Sequence, residues 1–251
     1  MSKKSNNPNP RKKQHPSKYS SREQALPEVD EPKTFNHKIK PRTDHQAEYI
    51  QAIQDNDLVF GIGPAGTGKT FLAVAQAIEY LRCHKVERIV IARPAVAAGE
   101  ELGALPGNFQ EKVDPYLRPV YDALYTLSNK EEIGSWIETG KLEIAAIAFL
   151  RGRTLSNAFV IMDESQNTTY LQMKMILTRI GSGSKMIVNG DLTQVDLKKN
   201  LESGLITAEE ILKNVKNTAF QFFDDSDVQR CQLVRDIVNS YEDYENPESI
   251  E

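Results

Sequence analysis

Eight consecutive residues, Gly63-Pro64-Ala65-Gly66-Thr67-Gly68-Lys69-Thr70, fill every fixed position of G-x-x-x-x-G-K-[S/T]. Such a run suits a nucleoside triphosphate. Glycines let main-chain N–H groups crowd around phosphate oxygens, and the N-terminus of a following helix adds partial positive charge. In that chemistry Lys69 reaches the β- and γ-phosphates, while the Thr70 hydroxyl ligates Mg2+. A second group follows the apolar run Ala158-Phe159-Val160-Ile161-Met162, which ends in Asp163-Glu164. A buried strand would carry both carboxylates out at its C-terminal end, the edge at which ligands bind in open α/β sheets. Asp163 suits the magnesium shell, directly or through water. Glu164 suits the polarisation of an attacking water as general base. An isolated Asp-Glu pair is more often a solvated turn; the phosphate motif upstream is what favours a hydrolytic centre. A carboxylate directly after the magnesium residue also favours water as acceptor, and so an NTPase over a small-molecule kinase.

A third stretch, Lys185-Met186-Ile187-Val188-Asn189-Gly190-Asp191-Leu192-Thr193-Gln194, again runs from apolar strand to polar turn. Gln194 is a candidate reader of the γ-phosphate, although an ordinary strand-ending turn has the same composition.

These groups need elements to position them. Thr43 can cap a helix carrying Ala47, Ile50 and Ile53, and Leu58–Ile62 reads as a buried strand before the glycine-rich turn. A helix follows through Leu72, Ala75, Ile78 and Tyr80. Arg88–Ala92, Leu142–Ile147, Ala158–Met162, Lys185–Asn189 and Ala219–Phe223 have the composition of further strands. Helices are expected at 109–127, where Pro115 and Pro119 should break or kink the run, and at 130–139, 170–180, 207–213 and 228–241. Residues 93–108 carry three glycines and two prolines and read as a functional or packing loop. Alternating strands and helices imply an α/β domain with a mostly parallel sheet between helical layers.

Composition narrows the setting. No apolar run approaches the roughly 20 residues of a membrane helix, and the first residues lack the apolar core of a signal peptide. Two cysteines, Cys83 and Cys231, show no zinc spacing and suit a reducing, cytoplasmic compartment. Residues 1–42 hold eleven Lys or Arg against four Asp or Glu, a balance of +7, so with a net charge of −4 the remainder carries −11. A basic arm of this kind can displace counterions from nucleic-acid phosphates, or simply keep the chain soluble. Residues 1–38 are too poor in large apolar side chains to offset ordering entropy, so disorder is expected there, with the NTPase domain over 39–241 and a frayed acidic end over 242–251.

The three motifs in order, with Asp-Glu-Ser-Gln-Asn at 163–167 and Gly-Asp-Leu-Thr-Gln at 190–194, resemble motifs I, II and III of superfamily 1 helicases. More closely, the chain resembles the PhoH family of ATPases. That resemblance is carried by Arg93-Pro94-Ala95-Val96-Ala97-Ala98-Gly99-Glu100-Glu101-Leu102-Gly103, by Leu105-Pro106-Gly107, by Glu111-Lys112-Val113-Asp114-Pro115-Tyr116-Leu117-Arg118-Pro119, and by Arg151-Gly152-Arg153-Thr154. It implies one RecA-like domain that binds and hydrolyses ATP with Mg2+, with RNA-directed roles that include unwinding. It also aligns Gln46 with the glutamine that reads adenine, an amide being able to pair with adenine N6 and N7 together. Arg230 falls where the family carries its late arginine, a group that can stabilise charge on the transferred phosphoryl. Ser165 replaces the family's usual alanine, and Cys231-Gln232 stand where His-Pro is common.

Helicases of superfamily 1 close two RecA-like domains around the nucleotide, and this chain has residues for one. A second protomer would then supply the missing face, with Arg153 or Arg230 reaching across; a closed ring made by a heterologous interface satisfies every site equally, so a homo-oligomer is expected, a hexameric ring first. Residues 93–119, with Arg93, Lys112 and Arg118 beside Phe109 and Tyr116, suit contact with RNA or single-stranded nucleic acid, contact with a neighbouring protomer, or a purely structural wrap. The leading reading is a nucleic-acid-dependent ATPase; an ATP-gated assembly module and a small-molecule kinase are the alternatives.

Overall fold

A computed structural model describes residues 39–94, 109–197, 201–229 and 232–245. The order is α1 (Asp44–Asp55), β1 (Leu58–Ile62), α2 (Lys69–Arg82), β2 (Arg88–Arg93), α3 (Phe109–Leu127), α4 (Lys130–Glu138), β3 (Leu142–Ala146), β4 (Ala158–Met162), α5 (Tyr170–Leu177), β5 (Lys185–Gly190), α6 (Gly204–Leu212), β6 (Thr218–Phe222) and α7 (Gln232–Glu245). The six strands form one sheet in the order β3-β2-β4-β5-β1-β6, and every pairing is parallel. This is the α/β, RecA-like P-loop architecture expected of the sequence.

A central parallel strand must be apolar on both faces, and β4 is buried at all five residues. Its Phe159 and Ile161 join one core cluster with Leu72, Ile78 and Leu124, while Val160 and Met162 join the other with Met173, Ile176 and Leu205. Helices α1 to α4 therefore cover one face, and α5 with α6 the other. Each large aliphatic side chain enclosed this way contributes about 1.5–3 kcal/mol, which is what fixes the register of the strand ends that hold the site.

Several boundaries differ from expectation for identifiable reasons. Helix α3 runs unbroken past Pro115 and Pro119. The two prolines are four residues apart, so their missing N–H groups fall on one face and the remaining ladder carries the helix. Helix α6 starts at Gly204 rather than Thr207, because the Ser203 side chain accepts from Leu205 N and caps it. Asp224 and Asp227 close a reciprocal capping box around a 3-10 turn at Asp225–Asp227, so the last helix begins at Gln232 instead of Val228. That helix continues to Glu245, past the point where fraying was expected. The expected arm, residues 1–38, lies outside the described residues, as do 246–251. Among the described residues no helix is long and apolar enough to cross a membrane.

Candidate functional site

Strand β5 lies between β1 and β4, so the ends of β1 and β4 sit two strand spacings apart, about 9–10 Å. The phosphate loop leaves β1, the acidic pair leaves β4, and Gly190-Asp191 leaves β5 between them. They line one pocket of about 240 Å3, bounded by Ala65, Gly66, Gly68, Lys69, Thr70, Phe71, Asp163, Glu164, Gly190, Asp191 and Gln194.

The loop keeps its shape through its own backbone and through four outside anchors. Gly66 and Gly68 have φ values of 87° and 86°, which only glycine adopts cheaply, and Gly68 is the cap residue of α2. Gly63 extends the β1–β5 ladder through its N–H to Gly190 O at 3.1 Å. A side chain on Gly63 would meet Phe223 O at 2.4 Å, so glycine is required there for packing as well. The Gln46 Nε2 donates to Thr67 O at 3.0 Å, the Gln229 N–H donates to Gly66 O at 2.9 Å, and Ala65 N–H donates to Asp191 Oδ2 at 3.0 Å.

Lys69 is nearly buried and folded back over the loop. Its ammonium donates to Gly63 O and Pro64 O at 2.7 Å each, and to Thr67 Oγ1 at 3.1 Å. Burial pushes its pKa down, opposed by the nearby carboxylates of Asp191, Asp163 and Glu164. These carbonyl bonds are the ones a nucleotide's phosphates would replace.

The Thr70 hydroxyl donates to Asp163 Oδ1 at 2.6 Å, joining the two halves of the site. Mg2+ fits here. Two oxygens sharing adjacent octahedral positions at 2.0–2.1 Å lie about 2.9 Å apart, so admitting the ion between Thr70 and Asp163 requires only a few tenths of an ångström. Asp163 is almost fully buried. Burial raises its carboxyl pKa above the ordinary range, against the lowering influence of Arg93 and the Thr70 hydroxyl.

Glu164 has φ 54°, a left-handed backbone costly for a side chain of this kind by roughly 1 kcal/mol or more. It begins the 3-10 turn Ser165–Asn167, which is held by Ser165 Oγ donating to Met162 O at 3.0 Å. The Glu164 carboxylate accepts from Arg93 Nη2 and from Gln166 Nε2, both at 2.7 Å. Gln166, itself buried, also accepts the Asp191 N–H at 3.1 Å, which ties the acidic turn to the β5 turn. Asn167 Oδ1 adds a second tie by accepting Asp196 N–H at 2.7 Å.

Of the residues singled out in the sequence, Lys69, Thr70, Asp163, Glu164 and Gln194 share this pocket. Gln46 sits behind it. Its amide nitrogen donates to Thr67 O at 3.0 Å and so anchors the loop, while its oxygen accepts Arg42 N–H at 2.9 Å, ahead of α1, so in this state both ends of the amide are occupied. Arg153 is not brought to the pocket of its own chain. Its guanidinium pairs with both oxygens of Glu143, at 2.5 and 2.7 Å, near the N-terminal end of edge strand β3 and away from the phosphate edge. Arg230 and most of the 93–108 loop lie outside the described residues.

Sequence reasoning did not assign Asp191, Gln166 or the carboxylate-binding role of Arg93. Nothing in linear spacing pairs residue 93 with 163 and 164; that requires knowing that β2 lies beside β4. Asp191 does carry a readable signal, since an acidic residue ending the third apolar strand must face the same edge as the phosphate loop.

Residues 38–242 match the family model for "PhoH-like protein". The chain is 54% identical over 208 residues to a PhoH-like protein of Synechocystis sp., covering 83% of this chain and 63% of that one. It is 52% identical over 204 residues to a PhoH-like protein of Bacillus subtilis, covering 81% of this chain and 64% of that protein. The chain thus spans a little under two thirds of the length of these curated relatives. Among solved structures, the large terminase of a thermophilic bacteriophage matches with a TM-score of 0.44 and 14% identity, covering 79% of this chain and 50% of that one.

Proposed function

The chain belongs to the PhoH-like family, and on that premise we propose that it is a magnesium-dependent ATPase whose turnover is stimulated by single-stranded nucleic acid, RNA above all. The observation that carries the ATPase reading is the 2.6 Å contact between Thr70 Oγ1 and Asp163 Oδ1, which closes the phosphate loop and the acidic strand end into one pocket; the nucleic-acid part rests on the family resemblance.

In this reading ATP places its phosphates against the loop amides, and the Lys69 ammonium exchanges the carbonyls of Gly63 and Pro64 for phosphate oxygens. Thr70 and Asp163 hold Mg2+, which when bound neutralises charge on the phosphates. Glu164 orients a water for attack and takes its proton. Gln194, exposed on the turn after β5 and lining the pocket, would contact the γ-phosphate, and Gln46 would add adenine selectivity from behind the loop.

Steady-state phosphate release without polymer, with RNA and with single-stranded DNA tests the proposal. Stimulation by RNA that disappears in Lys69→Ala supports it. Hydrolysis indifferent to either polymer would instead favour a nucleotide-gated assembly module, and phosphate transfer to a nucleoside would favour a kinase.

We also propose that the active form is a homo-oligomer, a ring closed by a heterologous interface and hexameric. Arg153 lies away from its own pocket, paired with Glu143, so it would reach a neighbour's nucleotide only across an interface and by exchanging that partner, as Arg230 would reach one across an interface. Mixed protomers of Lys69→Ala and Arg153→Ala should then recover activity that neither shows alone. A monomer by light scattering in ATP analogue and magnesium would refute this.

A further inference from the structure

Arg93 ends β2, the strand next to β4, and its side chain emerges beside the acidic end of that neighbour. Its Nη2 lies 2.7 Å from Glu164 Oε1 and its Nε 3.3 Å from Asp163 Oδ2, with only 11% of the side chain exposed. The other oxygen of Glu164 is held by Gln166 Nε2 at 2.7 Å. Gln166 is in turn fixed by the Asp191 N–H on its amide oxygen. Each oxygen of the carboxylate therefore accepts one bond from a protein donor, on a side chain that is still 43% exposed and whose backbone is left-handed at φ 54°.

A general base must present a lone pair to its water, within hydrogen-bond reach of the proton it removes. Each carboxylate oxygen keeps a second acceptor position, and the two donors, anchored on a strand and a buried turn, fix the direction in which that position points. The Arg93 contact is the stronger of the two, because both partners are charged. From this geometry we infer that Arg93 is a positioning residue that acts through Glu164: it holds the carboxylate turned toward β2, and aligning it on the attacking water requires the Arg93–Glu164 pair to open. Asp163 remains within reach as a second acceptor for the guanidinium when it does, so the cation need not be stranded. The inference rests on Glu164 being the base.

The test uses the full chain and the variant Arg93→Gln. Without any polymer, kcat for ATP should rise on the order of tenfold, the value of one hydrogen bond to a charged group, while KM stays within about twofold. Binding of a fluorescent ADP, read by anisotropy, should be unchanged. In aluminium fluoride and magnesium, which with ADP mimic the transferred phosphoryl group, its affinity should rise by a similar factor. Arg93→Lys keeps the charge without the forked geometry and should show part of the gain, which guards against a folding defect in the glutamine variant.

A kcat that falls or stays level in Arg93→Gln would overturn the inference. So would weaker binding in aluminium fluoride, since that result makes Arg93 a direct contact of the phosphoryl group. Glu164→Gln separates the two ideas. Turnover retained there removes the base assignment and this inference with it. Turnover lost there, with no gain in Arg93→Gln, removes the inference alone.

Discussion

Replacing Gln46 with alanine tests how far the phosphate loop depends on a residue outside it. The side chain is 4% exposed and makes two bonds, from Nε2 to Thr67 O at 3.0 Å and to Oε1 from Arg42 N–H at 2.9 Å. Thr67 is fully buried, so its carbonyl loses its partner in a place water reaches poorly, whereas Arg42 is exposed and its N–H turns to solvent. The orphaned carbonyl costs about 1–3 kcal/mol and the Arg42 bond contributes little. Taking about 2 kcal/mol, and letting all of it enter nucleotide affinity, binding weakens on the order of thirtyfold. The assay is titration of ADP and GDP by calorimetry in magnesium. Loop anchoring predicts a common loss for both nucleotides; adenine reading adds a further loss for ADP alone. Gln46→Glu should be worse than alanine, because a carboxylate repels the Thr67 carbonyl it must face. Affinities within about twofold of the parent for both nucleotides would refute the anchoring argument.

Tyr49→Phe should lower stability by about 1–3 kcal/mol in urea unfolding without nucleotide. The fully buried Tyr49 hydroxyl donates to Asn189 Oδ1 at 2.6 Å, and burial holds the phenol pKa far above its usual range, so it stays a neutral donor at any working pH. The His45–Asp227 pair, 2.7 Å apart, should make stability pH-dependent. His45 has a raised pKa, chiefly through its hydrogen bond to Asp227, so its contribution is complete below the unfolded value near 6.5 and is lost as pH rises through the higher folded value. For Asp227, burial acts upward, but Thr43, the Asp224 N–H and His45 together hold the pKa below 3.8, so that contribution is lost only as pH falls below the carboxylate range. The melting temperature should therefore decline above about pH 6.5 relative to His45→Asn, and parallel pH profiles for the two proteins would refute the linkage.

The pieces of this molecule that are local in sequence are readable as sequence. Leu58–Ile62 and Ala158–Met162 are strands over the residues expected, because a short run of apolar residues, interrupted only by Gly61 in the first, that ends at a glycine turn or a carboxylate pair has few other destinations. The phosphate loop is likewise a local object, whose glycines specify its backbone. What depends on the third dimension stays hidden. Arg93 meets Glu164 only because β2 is hydrogen-bonded to β4, and Asp191 meets Ala65 only because β5 is hydrogen-bonded to β1. The motif around Arg153 points to a catalytic arginine, yet the partner this residue finds in its own chain is Glu143, ten residues earlier, because the chain doubles back after β3. Helix starts depart from the hydrophobic pattern wherever a side-chain cap outweighs it, as at Ser203 and at the Asp224–Asp227 box.

The order of the strands also bears on when, during synthesis, the protein first becomes competent. Strands β3 and β4 each pair with β2, and all three are made by residue 162, so that half of the sheet can assemble early. Strand β1 is translated before any of them, yet its neighbours are β5 and β6, which begin at residues 185 and 218. A nascent chain halted at residue 180 would carry the whole phosphate loop on a strand with no edge to join, and no capacity to grip ATP should emerge from the ribosome before β5 does.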